Sequence, residues 1–129
     1  MIFVPNELTD PRINLALETF LLQELTVDEP ILLFYINEPS IIIGRNQNTS
    51  EEINQEYVDE KGIHVVRRLS GGGAVYHDYG NLNFSFIMTD DDISFRYFAN
   101  ETQPIIQALH ELVVTEAELK GTYDSVIEV

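Results

Sequence analysis

Hydrophobic positions recur along this chain with two alternating periods. Residues 2–4 form a short apolar run, and Asp10-Pro11 then sets an N-cap residue ahead of a proline suited to a first helical turn. Ile13, Leu17, Phe20, Leu21 and Leu25 follow at helical spacing, with Glu18 and Glu24 between them, so the spacing predicts a helix from Ile13 to Leu25. Pro30 punctuates the chain. ILLFYI (31–36) and SIIIGRNQ (40–47) are β-rich runs joined through Asn37-Glu38-Pro39 and are expected to pair with each other. Ser50 with Glu51, Glu52 and Ile53 has the pattern of a helix start; Ile53, Tyr57 and Val58 give that helix an apolar face, and Gly62 stops it.

The run IHVVRRL (63–69) reads as a strand entering Ser70-Gly71-Gly72-Gly73, and the alternation of Leu82, Phe84, Phe86 and Met88 gives another strand beyond. The glycines therefore sit between strands. A helix is expected over Phe95 to Leu112, with Pro104 kinking or dividing it near Gln103. AELKGTYDSVIEV then reads as a short strand, a turn and a second strand opening, and residues 125–129 alternate as an edge strand with no further partner. No repeat, low-complexity tract or linker divides the 129 residues, so the expected architecture is α/β of the α+β type, a single partial domain over 1–129 with helices on a mixed sheet.

Composition narrows the partners. Seven Lys and Arg against 22 Asp and Glu give a net charge of −15, a field that repels nucleic acid and anionic lipid. The absence of cysteine excludes disulfides, thiolate metal sites and thioester chemistry on this chain. The N-terminus lacks the basic and apolar regions of a secretory signal, and no run approaches the ~20 apolar residues of a membrane helix, so a cytoplasmic protein is expected.

Against the acidic background, residues 61–89 carry Lys61, Arg67 and Arg68 with a single acid, Asp78. Three consecutive glycines permit positive φ and place no Cβ in the way, so backbone N–H groups can approach a phosphate or carboxylate closely. A bare glycine run is equally a tight turn; the two arginines before it and the flanking strands favour an anion cradle. A helix-opening phosphate loop does not fit, because a strand follows.

The segment RRLSGGGAVYHDYGNLNFSF (67–86) resembles the signature of the lipoate–protein ligases, within the wider family of biotin protein ligases and octanoyl transferases. PNELTDPRINLALETFLL and LLFYINEPSIIIGRNQN (32–48) resemble that family as well, so the likeness runs from residue 1 to about Gly121. It implies a biotin/lipoate ligase-like catalytic domain that joins lipoate to ATP, giving lipoyl-AMP and pyrophosphate. The acyl group then passes to a lysine of a lipoyl carrier domain, in 2-oxoacid dehydrogenase complexes or glycine cleavage H protein. ATP, Mg²⁺ and lipoate are the implied ligands.

Residue by residue, the resemblance implies ATP contacts at Arg68, Gly73, Ala74, Val75 and Tyr76. Ser70, Gly71, Gly72, His77 and Asn81 would lie at the junction of acid and nucleotide. Tyr35, Ile43, Gly44, Arg45 and Val75 would flank an apolar slot for the acyl tail. An arginine fork can hold an anion in two-point contact where a lysine cannot. His77 either bonds substrate or closes a turn as a satisfied polar group, and Asn81 serves equally as a turn residue. Lys61 and Arg67 are expected to be solvated or structural.

The family's Arg-Asn-Asp turn is replaced here by Thr122-Tyr123-Asp124 after Gly121, leaving Asp124 as the candidate Mg²⁺ ligand. The family's catalytic lysine, in a Lys-x-Ser-Gly segment, would fall past Val129, and Lys120 precedes the turn and is not its equivalent. The expectation is therefore a C-terminally truncated ligase whose activity is impaired by a factor on the order of 10²–10³, with no catalytic residue assigned. The alternative is a non-catalytic remnant keeping a lipoate or nucleotide pocket, with a second polypeptide or self-association at the unfinished edge strand. Octanoyl transfer is disfavoured for want of cysteine, and biotin ligation for want of a Gly-Arg-Gly-Arg loop.

Overall fold

The computed structural model describes residues 1–26, 28–88, 95–112, 114–115, 117–120 and 124–127, with side chains left out at 95–101, 119–120 and 124–127. The chain forms two compact units, Met1–Thr89 and Asp90–Val129.

The first unit holds two three-stranded sheets. In one, β2 (Ile31–Ile36) lies between β1 (Ile2–Val4), parallel to it, and β6 (Leu82–Ile87), antiparallel to it with Ile31 opposite Ile87. In the other, β3 (Ser40–Ile43) lies between β4 (His64–Arg67), parallel, and β5 (Val75–His77), antiparallel. The mixed sheets with packed helices are those expected, but β2 and β3 do not pair with each other. Both are central strands, and their apolar residues are satisfied by two neighbours each. The link also cannot continue a hairpin ladder: Pro39 has no N–H, Glu38 N donates to Thr9 O, and Pro39 O accepts from His64 N.

Helix α1 (Pro11–Gln23) starts where the sequence places its cap: the Asp10 side chain accepts from Arg12 N, and Pro11 occupies the first turn. The Arg12 guanidinium on the Asp10 carboxylate holds that carboxyl well below the usual range. The buried side of α1 differs from the apolar set Ile13, Phe20 and Leu25, which are all exposed; Pro11, Asn14, Leu15 and Leu21 face inward instead. Leu21 joins Ile31, Leu33, Tyr35 and Ile87 in the core of the first sheet, with Leu17 and Val4 against it. On the opposite face, Phe3, Phe34, Phe84 and Phe86 form a ladder of tilted and edge-on rings with centroids 5.9–6.5 Å apart. The expected strand over 82–88 is present, with its large residues turned toward that ladder: Leu82 and Phe84 are 60% and 41% exposed, while Asn83 and Ser85 lie on the more buried side.

The single helix expected from Ser50 is two short ones, α2 (Thr49–Glu52) and α3 (Gln55–Lys61). Ile53 is extended between them, because the Asn54 side chain caps a new helix by accepting from Tyr57 N. Gly62 ends α3 at φ 63°, in the left-handed region. Asn54→Ala and Gly62→Ala are each expected to lower the stability of this chain by about 1 kcal/mol, the first through the lost cap and the second through backbone strain, read from urea denaturation midpoints.

In the second unit, α4 (Phe95–Glu111) runs through Pro104 without being divided, and Thr102 and Ile106 are buried along it. Proline removes one ladder bond, a cost that such burial offsets. His110 Nε2 lies 2.8 Å from Ala117 O at the start of β7 (Ala117–Lys120). Strand β8 (Asp124–Ile127) pairs antiparallel with β7, so the segment expected to be unpartnered has a partner along one edge.

Candidate functional site

The glycine loop connects β4 to β5 and is held by Arg68, while Arg67 holds the neighbouring 44–49 segment. Arg68 Nη1 donates to Ile42 O at 3.0 Å, Nε to Ser70 Oγ at 3.1 Å, and Nη2 to both Gly71 O and Gly73 O at 2.8 Å. Instead of an open fork, Arg68 thus presents a guanidinium already wrapped in loop carbonyls. Arg67, read from sequence as solvated or structural, is structural: its guanidinium gathers Gly44 O, Arg45 O, Gln47 O and Thr49 Oγ1. The two loops are then sewn together by Arg45 N donating to Ser70 O at 2.9 Å.

The glycines have separate reasons to be glycine. Gly72 adopts φ 95°, and a Cβ there would lie 2.9 Å from Arg68 Nη2. Gly44, buried at the end of β3, is packed so closely that a Cβ would come to 2.1 Å from Gly72 O, and its N–H donates to Gln47 Oε1. Gly71 and Gly73 are different. Neither has positive φ, and a Cβ at either would meet nothing within 4 Å. Nothing in the folded chain requires glycine at these exposed positions. Among the described residues, moreover, no hydrogen bond leaves the amide of Gly71, Gly72 or Gly73. The carbonyls of Gly71 and Gly73 are turned to the arginine, that of Gly72 lies against Gly44, and the three N–H groups remain for another acceptor, an arrangement suited to an anion.

Two cavities adjoin this loop. One, of about 400 Å³, is mostly apolar and is walled by Leu15, Leu22, Leu69, Phe86 and Ile87, with Glu18, Thr19, Ser70 and Ser85 at its edges. Ser85 Oγ donates to Glu18 there. Of its lining only Ser70 was picked out from sequence; the rest come from α1, from β6 and from Leu69 in the loop after β4. The other, about 580 Å³, is shallower and holds the residues that the motif did point to: Tyr35, Val75, Tyr76, His77 and Asn81. Val75 and Tyr76 are exposed, and Ala74 is half-buried. Ile43, Gly44 and Arg45 line neither cavity and support the glycine loop from behind.

The remaining side chains are fixed by turn and core geometry. Asp78 Oδ1 accepts from Gly80 N and Asp78 O from Asn81 N, so Asn81 closes a turn, while its Nδ2 donates to Asn83 Oδ1 at the cavity wall. Tyr35 is buried in β2; burial first, and the Glu18 carboxylate second, push its hydroxyl well above the ordinary tyrosine range, partly offset by Arg68. His77 is buried in β5, and burial together with Arg68 lowers its pKa. Its Nδ1 lies 3.0 Å from Asn37 Nδ2. Asn37 and Asn14, both fully buried, were not picked out from sequence: an asparagine amid apolar helix positions and one beside a proline carry no signal until the fold brings them together.

Among the described residues no cluster of three or more His, Asp or Glu side chains could hold a metal ion. Asp124 begins β8, but its side chain, like residues 121–123, lies outside the described residues.

The first unit thus sets an arginine-wrapped glycine loop beside an apolar cavity. The chain belongs to the lipoyl protein ligase A/B catalytic domain family, whose model matches residues 10–128. It is 61% identical over 129 residues to lipoate-protein ligase LplJ of Bacillus subtilis (strain 168), covering 99% of this chain and 39% of that protein. The fold matches the bipartite lipoate protein ligase of Thermoplasma acidophilum, whose structural study includes its E2 lipoyl domain, with a TM-score of 0.89 and 33% identity over 99% of this chain and 51% of the other. It also matches a lipoate-protein ligase A bound with ATP, with a TM-score of 0.82 and 32% identity over 98% of this chain and 53% of that one. The chain thus spans about two fifths to one half of the length of these relatives. None of the described helices is long and apolar enough to cross a membrane.

Proposed function

We propose that this chain forms the acyl-adenylate-binding part of a lipoate–protein ligase, as one partial catalytic domain over residues 1–129. It would activate lipoate with ATP to lipoyl-AMP and pyrophosphate and serve acyl transfer to a lysine of a lipoyl carrier domain. Family membership supports the reaction class, and the ATP-bound relative supports the nucleotide. The observation that carries the reading is the pair Gly71 and Gly73, glycines with open space at Cβ in a loop whose amides have no acceptor among the described residues. The space is wanted by something outside the chain, and N–H groups beside a guanidinium select an anion.

In this reading the phosphate that links the acyl and adenosyl groups rests on the amides of 71–73. Arg68 contributes field and loop shape, and Ala74, Val75 and Tyr76 lie along the nucleotide. The apolar cavity bordered by Leu15, Leu22, Leu69, Phe86 and Ile87 takes the acyl tail; its volume of about 400 Å³ and its opening at Ser70 suit a medium-length chain whose carboxyl end stays at the loop. Carrier domains of 2-oxoacid dehydrogenase complexes and glycine cleavage H protein are the proposed acceptors, and the cytoplasm the proposed location.

Calorimetric titration of this chain with a non-hydrolysable lipoyl-adenylate analogue tests the reading. Binding is expected in the wild type. Gly71→Ala and Gly73→Ala are expected to leave the denaturation midpoint within about 0.5 kcal/mol of wild type while weakening the analogue at least about tenfold, because the added methyl occupies ligand space and no protein space. Full affinity in both variants would reject the cradle.

A further inference from the structure

A line of side-chain amides runs from Asn6, ahead of α1, to the wall of the motif cavity. Asn6 Nδ2 donates to Asn14 Oδ1 at 2.9 Å. Asn14 Nδ2 donates to the backbone carbonyl of Leu8 at 2.9 Å and to Asn37 Oδ1 at 2.8 Å, with Ile36 O also near at 3.3 Å. Asn37 Nδ2 in turn meets His77 Nδ1 at 3.0 Å. Asn14 and Asn37 have no solvent exposure.

This order has one consistent set of protons. A backbone carbonyl can only accept, so Leu8 O and Ile36 O fix which end of the Asn14 amide is its NH₂. That NH₂ fixes the Asn37 oxygen as the acceptor facing it and leaves the Asn37 NH₂ facing His77. A donor on Nδ1 requires that nitrogen to carry the lone pair, so the ring proton resides on Nε2. His77 also lines the cavity that Tyr35, Val75, Tyr76 and Asn81 share. Nε2 has no hydrogen-bond partner among the described residues, and it is not sealed from solvent, as the Ser40 hydroxyl is. Resting on the function proposed above, we propose that Asn14 and Asn37 act as positioning residues that fix the His77 proton on Nε2, so that this N–H is offered to an oxygen of the acyl-adenylate. His77 is then neither a general base at Nε2 nor a merely satisfied core histidine: one edge of its ring is tied to the fold and the other is a directed donor.

The test begins without ligand. In the full chain labelled with ¹⁵N-histidine, long-range proton–nitrogen correlation spectra distinguish the two tautomers, and His77→Gln assigns the signal among the three histidines. The wild type is expected to show the Nε2–H form. Asn37→Asp replaces the NH₂ facing His77 by a second acceptor and is expected to move the proton to Nδ1. In calorimetry it should also weaken the lipoyl-adenylate analogue by about tenfold to a hundredfold, the effect of losing one hydrogen bond to a charged group. A merely structural role for Asn37 moves stability without moving the tautomer. An Nδ1–H wild type overturns the relay by itself, even if the variant does not fold, and so does an Asn37→Asp protein that keeps the Nε2–H form. An analogue that fails to bind the wild type defeats the functional reading separately, because the spectra decide the relay without it.

Discussion

Gly44→Ala is expected to disable the site although position 44 lines neither cavity. A Cβ at position 44 would fall 2.1 Å from Gly72 O, and the obstacle is backbone, so neither partner can rotate away. The loop must lift. Lifting it strains Arg45 N to Ser70 O, the contacts of Arg68 with Gly71 O and Gly73 O, and the Arg67 contact to Gly44 O. A backbone overlap of this kind costs about 3 kcal/mol. Displacing the cradle by about 1 Å is enough to lose on the order of 10²-fold in binding of the lipoyl-adenylate analogue. Urea denaturation and calorimetry on the same sample check both effects; an alanine variant with wild-type affinity would show that the loop does not need its seat on β3.

Arg68→Ala is the second large effect, and it divides differently between stability and binding. The guanidinium links Ile42 O, Ser70 Oγ, Gly71 O and Gly73 O, but the glycine carbonyls are exposed and regain water when it is removed. Stability should fall by only about 1–2 kcal/mol. Analogue affinity should fall by about 10²–10³-fold, since the loop loses both its positive charge and its shape. Arg68→Lys should recover little, because one ammonium cannot span carbonyls on both sides of the loop. Changed backbone chemical shifts at Gly71–Gly73 in Arg68→Ala would mark the loss of shape; lysine restoring full affinity would show that charge alone suffices.

Local chemistry was legible in the sequence wherever one residue decides the outcome. Asp10 and Pro11 start α1, Gly62 ends α3, and the glycines after Arg67-Arg68 lie between strands as expected. What was not legible depends on partners far along the chain. Asn37-Glu38-Pro39 has the look of a hairpin link, yet Thr9 and His64 claim its backbone groups and send β2 and β3 to different sheets. Alternation in 82–88 gives a strand but not its inward side, because the aromatic residues have each other on the far face and Ser85 has Glu18. The apolar cavity was missed for the same reason: its wall joins α1 and β6 with Leu69 and Ser70, segments whose sequences say nothing of each other. Arg68 was expected from the resemblance to contact the nucleotide; its engagement with the loop carbonyls follows from a close turn that the sequence does not show.

The register of the first sheet also sets a timetable. Strand β2 acquires its neighbour β6 only through pairs such as Ile31 with Ile87, so its second ladder cannot zip until the whole intervening stretch, glycine loop included, has left the ribosome. Until then one edge of a strand rich in isoleucine, leucine and phenylalanine is open to intermolecular pairing, and the second sheet, whose strands all fall between β2 and β6, has the opportunity to assemble first. Formation of the cradle would then precede closure of the greasy chamber beside it during biosynthesis.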